Sequence, residues 1–62
     1  MLDYEARLFR AGGTLSVVMP IVASNDFDAK VFASRMLLDH IEYIELSRNG
    51  AEIATLRPRR AS

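Results

Sequence analysis

The chain has 62 residues, no cysteine, and eight basic and eight acidic side chains. This length leaves no room for two lobes around a buried cleft, and the missing cysteines exclude disulfides, thiolate metal sites and a cysteine nucleophile. Residues 1–56 carry five basic and eight acidic side chains, a net charge of −3, whereas Arg57, Arg59 and Arg60 add +3. We therefore predict a single domain over 1–56 and a basic, flexible tail over 57–62.

The sequence carries no signal for a membrane or for secretion. Its longest apolar run, 17–23, has seven residues including Pro20 and is too short to cross a bilayer. Asp3 and Glu5 are acidic where a secretory signal would be basic or apolar. We expect a cytoplasmic, bacterial-type protein that contacts no membrane.

The first two elements are predicted to be an antiparallel hairpin. Residues 4–10 alternate in the period-two pattern of a half-buried strand, and Gly12-Gly13 allows a tight reversal. Residues 14–23 return as the second strand. Because Pro20 removes a backbone donor, we place this strand at an edge of the sheet.

A helix is predicted next, over 26–39, where glycine and proline are absent. Ser24 or Asn25 can cap its first turn. The helix is expected to bury an apolar stripe and to expose Asp28, Lys30, Arg35 and Asp39. The stripe comprises Phe27, Val31 and Leu38 and is broadened by Phe32, Met36, Ala29 and Ala33. His40 would follow the helix at the negative end of its dipole, where an imidazolium closes the last turn.

Asn49-Gly50 predicts a second hairpin, from 41–48 to 51–56, because a type I′ turn needs positive φ at both central residues. An unbroken ladder from this turn would place Leu46 opposite Ile53 and Tyr43 opposite Leu56. Leu56 would then lie on the face away from the helix.

These elements predict an α+β fold with ββαββ order, in which one helix covers one face of a mainly antiparallel sheet. A right-handed crossover favours the strand order 2-1-3-4. The order 2-1-4-3, with strands one and four parallel, stays open.

The layout resembles a group of small uncharacterised alphaproteobacterial ββαββ proteins. The resemblance is carried by residues 4–13, by the helix start over 23–29, and by Ile44-Glu45-Leu46 before the last turn. It covers most of the chain and implies the same fold. It implies no activity, cofactor or site.

No catalytic, cofactor-binding or metal site is predicted. His40 is the single histidine, and without cysteine only carboxylates such as Asp39 and Glu42 could join it, too few and too adjacent for a closed metal shell. Glu45 and Glu52 are interpreted as exposed strand charges that discourage edge aggregation. Gly12-Gly13 joins two strands and lacks the lysine of a phosphate loop.

Apolar residues on the uncovered face of the sheet give the main functional hypothesis, a non-enzymatic homodimeric interaction or regulatory module, with another protein partner possible. The predicted dimer interface comprises Phe9, Val18, Val22, Tyr43 and Leu56.

Two other functions are considered. A small-ligand binder or enzyme could use a site at the dimer seam, built from Arg7, Glu45 and Tyr43. Nucleic acid is a less favoured partner for this acidic body, and would be contacted through an anion site on the tail, formed by Arg57, Arg59 and Arg60.

Overall fold

A computed structural model describes residues 1–58, which form a four-stranded sheet with a helix on one face. In chain order the elements are β1 (Leu2–Arg10), β2 (Thr14–Ala23), α1 (Asp26–Ser34), β3 (Ile41–Arg48) and β4 (Ala51–Leu56). The strand order is β2-β1-β3-β4, and every neighbouring pair is antiparallel. The predicted ββαββ fold is confirmed, and the alternative order 2-1-4-3 is wrong.

The first hairpin reverses through residues 11–13. The Gly13 N–H donates to the Arg10 carbonyl at 3.0 Å, and Gly12, the third residue of this turn, has a φ of 88°. A positive φ at that position is what a type II turn requires, and glycine adopts it without strain. The chain leaves the turn as β2, which is an edge strand, as Pro20 predicted.

The second hairpin has the predicted turn but not the predicted ladder. Asn49 has a φ of 53° and Gly50 a φ of 79°, as a type I′ turn needs. Ser47 pairs with Glu52 as expected, but the register then shifts, and Leu46 faces Ala54 instead of Ile53. Ile53 is the extra residue of a β-bulge.

This bulge moves Leu56 to the helix side of the sheet, so the prediction that it lies on the opposite face is wrong. Leu56 pairs with Ile44, a fully buried residue, and packs against the core. Regular alternation would send one of Ile53 and Leu56 to each face. With the extra residue both pack against the core, which is the physical reason for the shift.

Helix α1 is shorter than predicted, because it ends at Ser34 and not at Asp39. The Asn25 side chain caps its start by accepting the Asp28 N–H at 2.8 Å. At its end the Ser34 hydroxyl donates to the Val31 carbonyl at 2.7 Å, and the Arg35 N–H turns to the Phe32 carbonyl, three residues back. The side chain thus occupies the acceptor that another α-helical turn would use.

After the helix, residues 35–40 descend to the sheet in tight turns. Met36 and Leu37 leave the helical path and pack against the core. His40 is exposed and lies in a turn closed by the Ile41 N–H and the Leu38 carbonyl, 2.9 Å apart. Since it follows the helix end by six residues, the predicted capping role of His40 is wrong.

The core lies between the sheet and α1, and the helix contributes only small side chains to it. The buried apolar residues are Tyr4, Ala6, Leu8, Ile21, Ala23, Ala29, Ala33, Ile41, Ile44 and Leu46. Phe32 is 52% exposed and Leu38 is 56% exposed, so the prediction that these two residues fill the core is wrong. Alanines one turn apart let the helix axis approach the sheet closely, which turns the larger residues of α1 away from it.

Candidate functional site

The sheet surface opposite α1 is called here the outer face. Strand alternation and pairing place on it Asp3, Glu5, Arg7 and Phe9 of β1, Leu15, Val18, Pro20 and Val22 of β2, and Tyr43, Glu45 and Ser47 of β3. Four of the five predicted interface residues are in this set. Leu56 lies on the other side of the sheet.

Two predicted interface residues, Phe9 and Tyr43, are in direct contact. They are cross-strand partners whose ring centroids are 4.6 Å apart with an interplanar angle of 11°. The Arg57 guanidinium lies 5.1 Å from the centroid of the Tyr43 ring. Such stacked pairs stabilise a sheet beyond the area they bury, and a guanidinium beside the ring adds a cation–π attraction.

Val18 and Val22 lie on the edge strand, where Leu15, the cross-strand partner of Phe9, connects Val18 to the aromatic pair. Both are exposed, and Pro20 separates them on the same face. Their partners on β1 are Arg7 and Asp3. The charged side chains of β1 therefore occupy the middle of the outer face, and its apolar part follows β2 and turns to the aromatic pair through Leu15.

A charged, open concavity of about 540 Å³ lies on the outer face and extends to the turn of the second hairpin. Arg7 Nε donates to Glu5 Oε2 at 2.8 Å, and both side chains are about half exposed, so this ion pair contributes at most about 1 kcal/mol. The concavity is lined by Asp3, Tyr4, Glu5, Arg7, Glu45, Ser47, Arg48, Asn49, Gly50 and Glu52. Of the predicted seam site, Arg7 and Glu45 line it together and are cross-strand partners, but Tyr43 is not among its lining residues.

Large apolar side chains of α1 point away from the core, a feature that the sequence reasoning missed. Phe27 is 70% exposed, Phe32 52% and Val31 40%. Val31 is two residues from each of the buried alanines, about 200° around the helix, and so lies opposite the sheet. The spacing of Ala29 and Ala33 was the available signal, because small residues one turn apart mark the side that approaches a neighbour.

The edge strand β2 exposes apolar side chains on both of its faces. Val18 and Val22 are on the outer face, whereas Val17 and Met19 pair with Leu8 and Ala6 and share their helix side. All four are exposed because β2 has a neighbour on one side only, and α1 does not cover the strand along its whole length.

Tyr4 connects the helix start to the sheet. Its hydroxyl donates to Asp26 Oδ1 at 2.7 Å, and the Arg48 guanidinium lies 6.0 Å from its ring centroid. Burial is the main cause that raises the pKa of the Tyr4 phenol above 10.0, and the hydrogen bond to the Asp26 carboxylate raises it further. The phenol stays protonated at neutral pH and acts as a structural donor.

The predicted anion site is only partly within the described residues. Arg57 is exposed, while Arg59 and Arg60 lie outside residues 1–58. Within that range no group of three or more histidine, aspartate and glutamate residues could hold a metal ion. None of the helices described there is long and apolar enough to span a bilayer.

Comparison with known proteins yields no match to a family model, a curated protein or a solved structure. The resemblance to small alphaproteobacterial ββαββ proteins and the cytoplasmic location stay predictions.

Proposed function

We propose that this chain is a non-enzymatic interaction module that works as a homodimer. One observation carries the proposal, namely that two elements, β2 and α1, hold most of the large apolar side chains that water contacts. These are Leu15, Val17, Val18, Met19, Val22, Phe27, Val31 and Phe32. Soluble monomers seldom expose so many large apolar side chains on adjoining elements, and such surfaces usually bind a partner.

A second copy is the partner that the size of the domain favours. Ile44 and Leu46 are the largest side chains that are fully buried, so the interior is small. Domains of this length are marginally stable unless disulfides, a metal or oligomerisation reinforce them. The chain has no cysteine, which leaves self-association as a simple source of additional buried apolar area.

The proposal includes no catalytic step. Arg7 and Glu5 are paired with each other and half exposed. Catalytic acids and bases are usually tuned by burial and by charged neighbours within a cleft that excludes water. The outer face is open to solvent and suits recognition better than chemistry.

Sedimentation at several concentrations tests the homodimer. Analytical ultracentrifugation at micromolar concentration should give the mass of two chains, and the melting temperature should rise with concentration, because dimerisation stabilises the folded chain by mass action. NMR relaxation that shows a monomer at millimolar concentration would overturn the proposal.

The concavity favours a second candidate function, the binding of a small cationic ligand. Four carboxylates line it, those of Asp3, Glu5, Glu45 and Glu52, and the guanidiniums of Arg7 and Arg48 leave a net charge of −2. An arginine tripeptide should shift their NMR signals at low salt and lose the effect at high salt. Glu45→Gln should weaken the binding, whereas Asp39→Asn, a change outside the concavity, should not. Equal binding by both variants would exclude this site.

A further inference from the structure

We propose that two copies of the chain pack α1 against α1, antiparallel, about a two-fold axis that passes near Val31. The inference rests on the proposed homodimer and names its interface. Val31 lies opposite the sheet, and Phe27 is one turn earlier on the same outward side of the helix. Phe32 lies about 100° around the helix from Val31, on the flank of this surface, and is half exposed.

The charges of the helix select the antiparallel arrangement. Asp26 and Asp28 lie in the first turn, and Lys30 and Arg35 follow toward the end. Two parallel copies would bring acidic ends together and basic ends together. The last turn of α1 has no basic residue, but Arg35 caps its end, so two antiparallel copies place the acidic first turn of each helix beside Arg35 of the other, and their dipoles also oppose.

A two-fold axis at Val31 gives each outward residue a suitable neighbour. Residues equally far from Val31 in sequence then face each other, so Val31 meets its own copy. Phe27, four residues before Val31, meets Arg35, four residues after it on the other chain. A guanidinium over a phenylalanine ring is a favourable cation–π pair, and it forms twice in the dimer.

The exposed area is consistent with a helix-centred interface. If a fully exposed phenylalanine offers about 200 Å², the exposures of 70% for Phe27 and 52% for Phe32 leave about 240 Å² per chain. The four rings of a dimer would supply about 480 Å² of the roughly 1,200 Å² found in small stable interfaces. Val17, Met19 and Val31 are exposed on the same side of the sheet and can supply more.

This arrangement has a functional consequence, since the helices occupy the middle and the sheets the outside. Both outer faces stay open and point in opposite directions. The dimer would therefore present two copies of the acidic concavity and act as a bivalent module.

A single introduced cysteine tests the axis directly, because the chain has no native cysteine. Helix axes 8–10 Å apart bring the Cα atoms of facing residues to about 3.4–5.4 Å, which overlaps the range that a disulfide allows. Val31→Cys should form a covalent dimer under mild oxidation, and reduction should reverse it. Val18→Cys, an equally exposed valine on the outer face, should not crosslink at the same rate.

Charge insertion gives an independent test. Val31→Glu should raise the dimer dissociation constant at least about 100-fold, because the axis would bring two carboxylates together. Val18→Glu should leave it within about threefold. Circular dichroism should show both variants folded, since both valines are exposed in the chain.

The outcomes separate the two proposals. A wild-type dimer that persists in Val31→Glu but dissociates in Val18→Glu would overturn the helix interface and keep the homodimer, with the outer face as its contact. A monomeric wild type would overturn both. Crosslinking of Val31→Cys together with loss of the dimer in Val31→Glu would support both.

Discussion

Replacing Leu46 by alanine measures how much the interior between sheet and helix stabilises the chain. Leu46 is 0% exposed and lies between Ala6 and Ala54 on the neighbouring strands. Removing three carbon atoms loses about 2.4 kcal/mol of transfer free energy at about 0.8 kcal/mol each. The cavity left between sheet and helix adds to this loss, so we expect a total of about 3–4 kcal/mol.

Leu15→Ala is the matched control, because the chemical change is the same but Leu15 is 48% exposed on the edge strand. Because Leu15 is about half exposed, its truncation loses only about half of the transfer free energy and leaves no closed cavity. We therefore expect Leu15→Ala to cost about 1 kcal/mol of stability. Urea unfolding followed by circular dichroism, at one fixed protein concentration, gives both values.

The total stability of a chain of this size is about 3–9 kcal/mol, so Leu46→Ala could leave little folded protein. Ile44→Val, at about 0.5–1.5 kcal/mol, keeps the test measurable. If Leu46→Ala cost no more than Leu15→Ala, the core described here would be wrong.

Two further predictions concern local structure. Gly50→Val should lower the melting temperature strongly, because a β-branched residue is strained at a φ of 79°, whereas Asn49→Asp should be mild; equal melting temperatures would contradict the type I′ turn. Tyr4→Phe should remove part of the alkaline sensitivity of the fold. Because the folded chain raises the pKa of Tyr4 above 10.0, its stabilisation is complete below pH 10.0 and is lost as the pH rises through the folded pKa. Melting curves against pH should fall less steeply in the variant, and identical slopes would count against the Asp26 hydrogen bond.

Both hairpins and the edge position of β2 could be predicted because their signals are local, whereas the strand order was favoured only by the handedness of the crossover. Asn49-Gly50 needs only its own φ values, and Pro20 needs only its missing N–H. The bulge at Ile53 has no such signal. The bulge depends on which side of the sheet has room for the side chains of both Ile53 and Leu56. The packing of the helix on the sheet determines that side.

The position where α1 ends and the choice of which α1 residues are buried depend on tertiary packing in the same way. No glycine or proline marks Ser34, and the chain leaves the helix there so that Met36 and Leu37 can reach the core. The sequence pattern assigned Phe27, Val31 and Phe32 to the interior because they are large. Of the predicted stripe the structure fully buries only Ala29 and Ala33, and the exposure of its large members moves the candidate interface from the outer face to the helix.

The edge position of β2 also bears on how newly made chains avoid aggregation. In a single chain, β2 offers an open backbone and apolar side chains to any other extended segment, a template for unwanted strand addition. Pro20 lies within this strand and cannot donate a hydrogen bond to an added one. A strand that added to the free edge of β2 would therefore lack one backbone hydrogen bond at Pro20. This loss disfavours aggregation through the edge and does not affect formation of the native hairpin.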